Sequence, residues 1–158
     1  MKQNRHINKV AVIGSGIMGS RIACHFANVG VEVLLLDIVP FDLTEEQLKD
    51  KKIRNSIVND ALKSTLKSKP SPIYSKKFVN RITTGNLDDD LYKIADVDWI
   101  IEVVVERLDI KKQVFEKIEK FRKEGTLISS NTSGIPIESM IDGRGDDFKA
   151  HFCGTHFF

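Results

Sequence analysis

KVAVIGSGIMGSRIACHFANVGVEVLLLD, from Lys9 to Asp37, contains the change of period that decides the fold. Lys9 to Gly14 is a short, β-branched apolar run ending in glycine, as expected of a buried parallel strand. From Ile17 the spacing becomes helical, and Ile17, Ile22, Ala23, Phe26 and Ala27 are expected to share one face. Gly30 then stops the helix as a left-handed cap. Val31 to Asp37 is a second apolar run of strand length. Strand, helix and strand within about thirty residues make a βαβ unit with a right-handed crossover.

The pattern repeats downstream. Thr44-Glu-Glu-Gln47 has capping-box spacing. It predicts a long helix with Ile53, Ile57, Ala61, Leu62 and Leu66 on one side, ending at Pro70 and Pro72. This region, about 43–77, reads as a helical insert. Arg81–Gly85 and Asp96–Glu106 read as strands. Leu108–Phe121 reads as an amphipathic helix with Ile110, Val114, Phe115, Ile118 and Phe121 inward. Thr126–Asn131 predicts a strand, Ile137–Ile141 a short helix, and Phe148–Phe158 a last strand. Such alternation predicts an α/β fold, a Rossmann-type doubly wound and mostly parallel sheet in a single domain over 1–158.

The 158 residues are 41% apolar and 29% charged, with a formal charge of +2. Such a balance argues against nucleic acid or a membrane surface as partner. The apolar run after the basic N-terminus is broken by glycines and followed by Arg21, so no targeting segment is expected. Cys24 and Cys153 form no CxxC pair, which fits a reduced, cytoplasmic setting.

Gly14, Gly16 and Gly19 form GxGxxG directly between the first strand and the first helix. There Gly14 permits a tight turn, Gly16 admits a pyrophosphate, and Gly19 lets helix and strand pack closely. Asp37, ending the second strand, suits the hydroxyls of an adenosine ribose and would repel a 2′-phosphate. No arginine stands at Ile38, Val39 or Pro40 to hold such a phosphate. NAD is therefore expected over NADP.

Glu106 and the Asn131–Gly134 turn, NTSG, are expected at the carboxyl ends of their strands, where ligands lie in open α/β sheets. Their side chains would bond a nicotinamide ribose or a substrate oxygen, or serve only as turn and cap residues. Strand alternation separates His156 from His151 and Cys153, so no metal site is expected. Cys24 reads as packing. His6 and His25 have no identifiable partner, and Glu102, inside a buried run, needs one. The lysines from Lys49 to Lys67 read as a solvated face, with contact to phosphates as the other reading.

The ordered set VIGSGIMG, LLLD, IIEVVVE, SSNTSG and GTHFF resembles the 3-hydroxyacyl-CoA dehydrogenase family from about Lys9 to Phe158, nearest to its long bacterial β-oxidation form. The resemblance implies NAD as cofactor and an acyl-CoA as substrate. It puts Gly14, Gly16, Ile17, Met18 and Gly19 at the pyrophosphate and Asp37 at the adenosine ribose. It puts Val104, Val105, Glu106 and Lys111 beside the nicotinamide half. Asn131 and Ser133 would sit by the nicotinamide and the substrate's 3-oxygen, and His156 would be the catalytic base. It further implies a glutamate partner for that histidine and a helical, dimer-forming domain, both expected beyond Phe158. The chain is thus expected to be a truncated NAD-binding domain, inactive alone, of an enzyme that is a homodimer. Two alternatives share Gly14 to Asp37: another two-domain dehydrogenase, for a hydroxy acid or sugar nucleotide, and a non-catalytic NAD sensor.

Overall fold

The computed structural model describes residues 5–158. Six parallel strands form one sheet: β1 (Lys9–Ile13), β2 (Glu32–Asp37), β3 (Ile82–Asn86), β4 (Trp99–Glu102), β5 (Leu127–Ser130) and β6 (Phe152–Gly154). Their order is β3-β2-β1-β4-β5-β6. The chain winds outward in one direction from β1 to β3, then returns to the other side of β1. That reversal opens a crevice between the carboxyl ends of β1 and β4.

The period of two along each strand divides the core into two layers. Val10 and Val12 of β1, with Val33 and Leu35 of β2, pack under α1 (Ile17–Asn28) and α3 (Ser56–Lys67). Ala11 and Ile13, with Leu34 and Leu36, face α4 (Leu108–Phe121), α5 (Ile137–Ile141) and α6 (Asp146–Ala150). Both faces of the central strands are covered, and this is why they read as unbroken apolar runs.

Helix α1 ends as its sequence predicts. Gly30 adopts φ +94°, Val31 N–H donates to Phe26 O at 3.0 Å, and Gly30 N–H donates to Ala27 O at 3.3 Å. This pair of reversed bonds is a Schellman cap. Its start differs from expectation, since Ile17 is 78% exposed rather than part of the inward face.

The expected long helix after Pro40 is instead three pieces. Thr44 and Gln47 do form the reciprocal capping bonds, at 2.9 and 3.3 Å, but they cap a single 3-10 turn, Gln47–Lys49. Then come α2 (Lys51–Arg54) and α3, broken at Asn55. Buried Asn55 accepts a 2.7 Å bond from the amide of fully buried Asn86, while Arg54 forms a fork to Asp89. Those tertiary bonds to the end of β3 outweigh helical continuity.

Further departures concern β4, the last strand and α4. β4 ends at Glu102 rather than Glu106, because Val104 N–H turns back to the Glu102 carboxylate at 2.7 Å. Residues Phe148 to Ala150 belong to α6, so the last strand is only Phe152–Gly154. On α4, Phe121 is 45% exposed, while Lys111, a charged residue, lies inside at 1%.

Candidate active site at the carboxyl ends of the strands

The glycine turn is set by contacts that admit no side chain. A Cβ on Gly19 would lie 1.8 Å from the Gly14 carbonyl oxygen, which forces α1 against β1. Gly14 has φ +104°, and a Cβ there would stand 2.6 Å from Val103 O in the chain leaving β4. Gly16 differs: nothing lies within 4 Å of its missing Cβ. Above it, α1 begins with no side-chain cap and no acidic residue in its first turn. Open N–H groups, a positive helix end and free space together fit a pyrophosphate.

Asp37 stands beside this turn. Its Oδ2 accepts bonds from the Ser15 N–H and hydroxyl, each at 2.6 Å, and its Oδ1 accepts from Ile38 N–H at 2.7 Å. A carboxylate has about four acceptor positions, so Oδ1 keeps capacity for a ribose hydroxyl. Ser15 was not singled out by sequence; its signal was a small hydroxyl inside the glycine motif, within reach of the next strand's terminal acid.

On the other side of the crevice lies a chain of charges. Glu102 is fully buried, and Lys111 Nζ lies 2.8 and 3.0 Å from its two oxygens. Ser130 Oγ donates to the same carboxylate at 2.5 Å. These are the partners the strand acid required. Lys111 Nζ also lies 3.4 Å from Glu106 Oε2. Glu106 Oε1 in turn accepts bonds from the Thr132 hydroxyl at 2.5 Å and from Ser133 and Gly134 N–H at 3.1 Å. Partial burial works to raise the pKa of Glu106, but the Thr132 hydroxyl, the two N–H groups and the Lys111 ammonium outweigh it and hold it at about 2. Glu106 therefore clamps the NTSG turn. Thr132, also missed by the sequence reading, carries that clamp.

Asn131 and His156 meet at the same turn. Asn131 Oδ1 accepts Phe157 N–H at 2.8 Å, and His156 Nδ1 lies 3.3 Å from Thr132 O. A carbonyl can only accept, so this contact places the imidazole proton on Nδ1 and leaves Nε2 as a lone-pair base. A cleft of about 370 Å³ is lined by Met18, Val103, Val104, Asn131, Ser133 and His156, with the last two phenylalanines. The structure thus brings Met18 from the glycine turn together with Asn131, Ser133, His156 and Val104. Val105 points outward, 62% exposed, and Lys111 is sealed beneath Glu106. A roomier cleft of about 450 Å³ opens near Lys9, Arg81 and Lys93. It lies at the opposite, amino ends of the strands, away from every group described above.

Phe157 packs into the α1 face beside Phe26 and Trp99, with ring centroids 6.1 and 6.4 Å away. His25, without a partner in the sequence reading, meets Phe157 edge-on at 6.5 Å. Among the described residues no cluster of three or more histidine, cysteine or acidic side chains could hold a metal ion. No helix there is long and apolar enough to cross a membrane.

The family model for the NAD binding domain of 3-hydroxyacyl-CoA dehydrogenase matches residues 9–158. The chain belongs to this family. A probable 3-hydroxyacyl-CoA dehydrogenase of Bacillus subtilis is 53% identical over 98% of this NAD-binding domain, which spans 20% of that relative. One of Deinococcus radiodurans is 45% identical over 96% of the domain, which spans 42% of it. The crystal structure of 3-hydroxybutyryl-CoA dehydrogenase from Escherichia coli K12 superposes with a TM-score of 0.67 at 28% identity, covering 97% of the domain and 30% of that chain. The domain therefore accounts for less than half the length of each of these relatives. NAD is the cofactor of such a domain, and the open glycine turn with Asp37 beside it fits that nucleotide.

Proposed function

We propose that this domain works within an enzyme that oxidises the 3-hydroxyl of (S)-3-hydroxyacyl-CoA to a ketone in fatty-acid β-oxidation. One observation carries the reading: His156, Ser133 and Asn131 share a cleft with Met18 of the glycine turn. A base and two polar groups therefore adjoin the crevice that takes the cofactor. NAD held in that crevice would supply the acceptor for the hydride leaving C3.

The chain's own residues take the following roles. Gly14, Gly16, Ile17, Met18 and Gly19 form the pyrophosphate turn, and Asp37 takes the adenosine ribose. His156 Nε2 receives the hydroxyl proton, because its Nδ1 proton is directed to Thr132 O. Ser133 and Asn131 bond the substrate's 3-oxygen and the nicotinamide side. Val104 and Val105 border the ring, while Glu106, backed by Lys111, keeps the turn that carries Ser133 in place. The separated cysteines support a cytoplasmic setting, and the family resemblance supports a homodimeric enzyme in which a further helical domain completes the acyl-CoA site.

A paired titration of the chain with NADH and NADPH, read by nicotinamide fluorescence, tests the cofactor half; preference for NADH is expected. For the chemistry, His156→Gln in the full-length protein should abolish turnover and keep NADH binding. Unchanged turnover would remove His156 from the mechanism, and a protein that binds NADH but never oxidises hydroxyacyl-CoA would be a sensor.

A further inference from the structure

The side chains beneath the β4–β5 rim carry an unequal number of charges. Lys111 Nζ lies 2.8 Å from Glu102 and 3.4 Å from Glu106, so one ammonium serves two carboxylates. Glu102 is fully buried and Lys111 is 1% exposed, which limits screening by solvent. Arg107 and Lys112, next in the chain to Glu106 and Lys111, are engaged elsewhere: Arg107 bonds Asp109 at 2.6 Å and Lys112 lies 3.5 Å from Asp142. The remaining bonds to Glu106 come from a hydroxyl and two N–H groups, which steady its charge without cancelling it. The group therefore keeps one net negative charge.

Its position gives that charge a specific effect. Asp37 marks the adenosine side of the glycine turn, so a dinucleotide crossing the turn puts its second base over β4 and β5. The oxidised nicotinamide ring is cationic and the reduced ring is neutral. The pyrophosphate and both riboses are the same in the two forms. A fixed negative charge at this end acts on the difference between them.

We propose that the Glu102–Lys111–Glu106 group is an electrostatic selector for oxidation state, favouring NAD+ over NADH at this site relative to an uncharged version of it. The inference rests on the reading that NAD lies across this rim. It biases the bound cofactor toward the form needed to oxidise a hydroxyl.

Two substitutions test it on the chain itself. Glu106→Gln retains an acceptor oxygen for the NTSG turn while removing the rim charge. Glu102→Gln removes one charge from a fully buried position that no cofactor atom reaches. Dissociation constants for NAD+ and NADH are measured by calorimetry, with folding checked by circular dichroism. The ratio Kd(NAD+)/Kd(NADH) is expected to rise about tenfold in Glu106→Gln, the scale of one partly screened charge at several ångströms. A smaller rise in the same direction is expected in Glu102→Gln. An unchanged ratio in folded Glu106→Gln, even with both affinities weakened together, overturns the proposal and leaves a purely positioning role. If Glu102→Gln does not fold, Glu106→Gln alone decides. Failure of the folded wild-type chain to bind either nucleotide is a different result, and it removes the cofactor reading itself.

Discussion

Asp37 and Glu106 flank the same crevice and are held in opposite ways. Asp37 is bound by near neighbours in the same βαβ unit: Ser15 twice and Ile38 once. Glu106 is bound by residues from two other segments, the NTSG turn after β5 and Lys111 on α4, which is itself anchored to Glu102 on β4. The Asp37 side is a local device. The Glu106 side is a tertiary one, and a single buried ammonium joins its parts. Damage to the first should stay local, whereas damage to the second should spread into the fold.

The largest expected effect follows from that ammonium. Lys111→Met leaves Glu102 buried without a counter-charge and should cost about 3–5 kcal/mol in urea unfolding. Adding Glu102→Gln should recover much of the loss. If Lys111→Met unfolds at the wild-type midpoint, the two sides do not differ as described. Gly19→Ala should come next, at roughly 3 kcal/mol, because its Cβ would meet the Gly14 carbonyl oxygen at 1.8 Å. Gly16→Ala sharpens the contrast within the turn. With nothing within 4 Å of its Cβ, its stability should stay within about 0.5 kcal/mol of wild type. NADH affinity should nevertheless fall roughly tenfold, as the methyl enters the space left for the pyrophosphate.

Asp37→Ser should narrow the preference for NADH over NADPH by about 1.4 kcal/mol, or tenfold, with little change in melting temperature. The smallest effect concerns acid. Glu106, held at about 2, contributes stability that is present above the ordinary glutamate pKa and is lost as pH falls from about 4.5 toward 2. Glu106→Gln should therefore lessen the pH dependence of unfolding within that window and leave it unchanged at neutral pH. An identical acid limb in the variant would mean that the clamp on NTSG does not form in solution.

These two sides also differ in how far the sequence discloses them. The glycine turn, the strand-end acid and the Schellman cap at Gly30 follow from neighbours in the chain, and their spacing alone predicts them. The NTSG and GTHFF segments stand out through family resemblance, but the bonds that join them do not. Thr132 looks like an ordinary turn residue until Glu106 reaches it. Lys111 sits among the charged residues of an amphipathic helix, and only its spacing with Val114, Phe115 and Ile118 hinted that it faces inward. The long helix expected before Pro70 failed for a related reason. Its local signals are real, but Asn55 and Arg54 bond to Asn86 and Asp89, more than thirty residues away.

What the sequence alone determined is the βαβ frame, the glycine turn between β1 and α1, and the acid that ends β2 beside it. Each depends on periodicity or on conformational freedom within a few residues, which the order of side chains specifies directly. Only the tertiary structure decided that Glu102, Lys111 and Glu106 form one group, that this group holds the turn bearing Ser133, and that His156 directs its Nδ1 proton to Thr132. Those relations are set by strand order and by buried charges that must find partners out of water, and neither is contained in any short stretch of the chain.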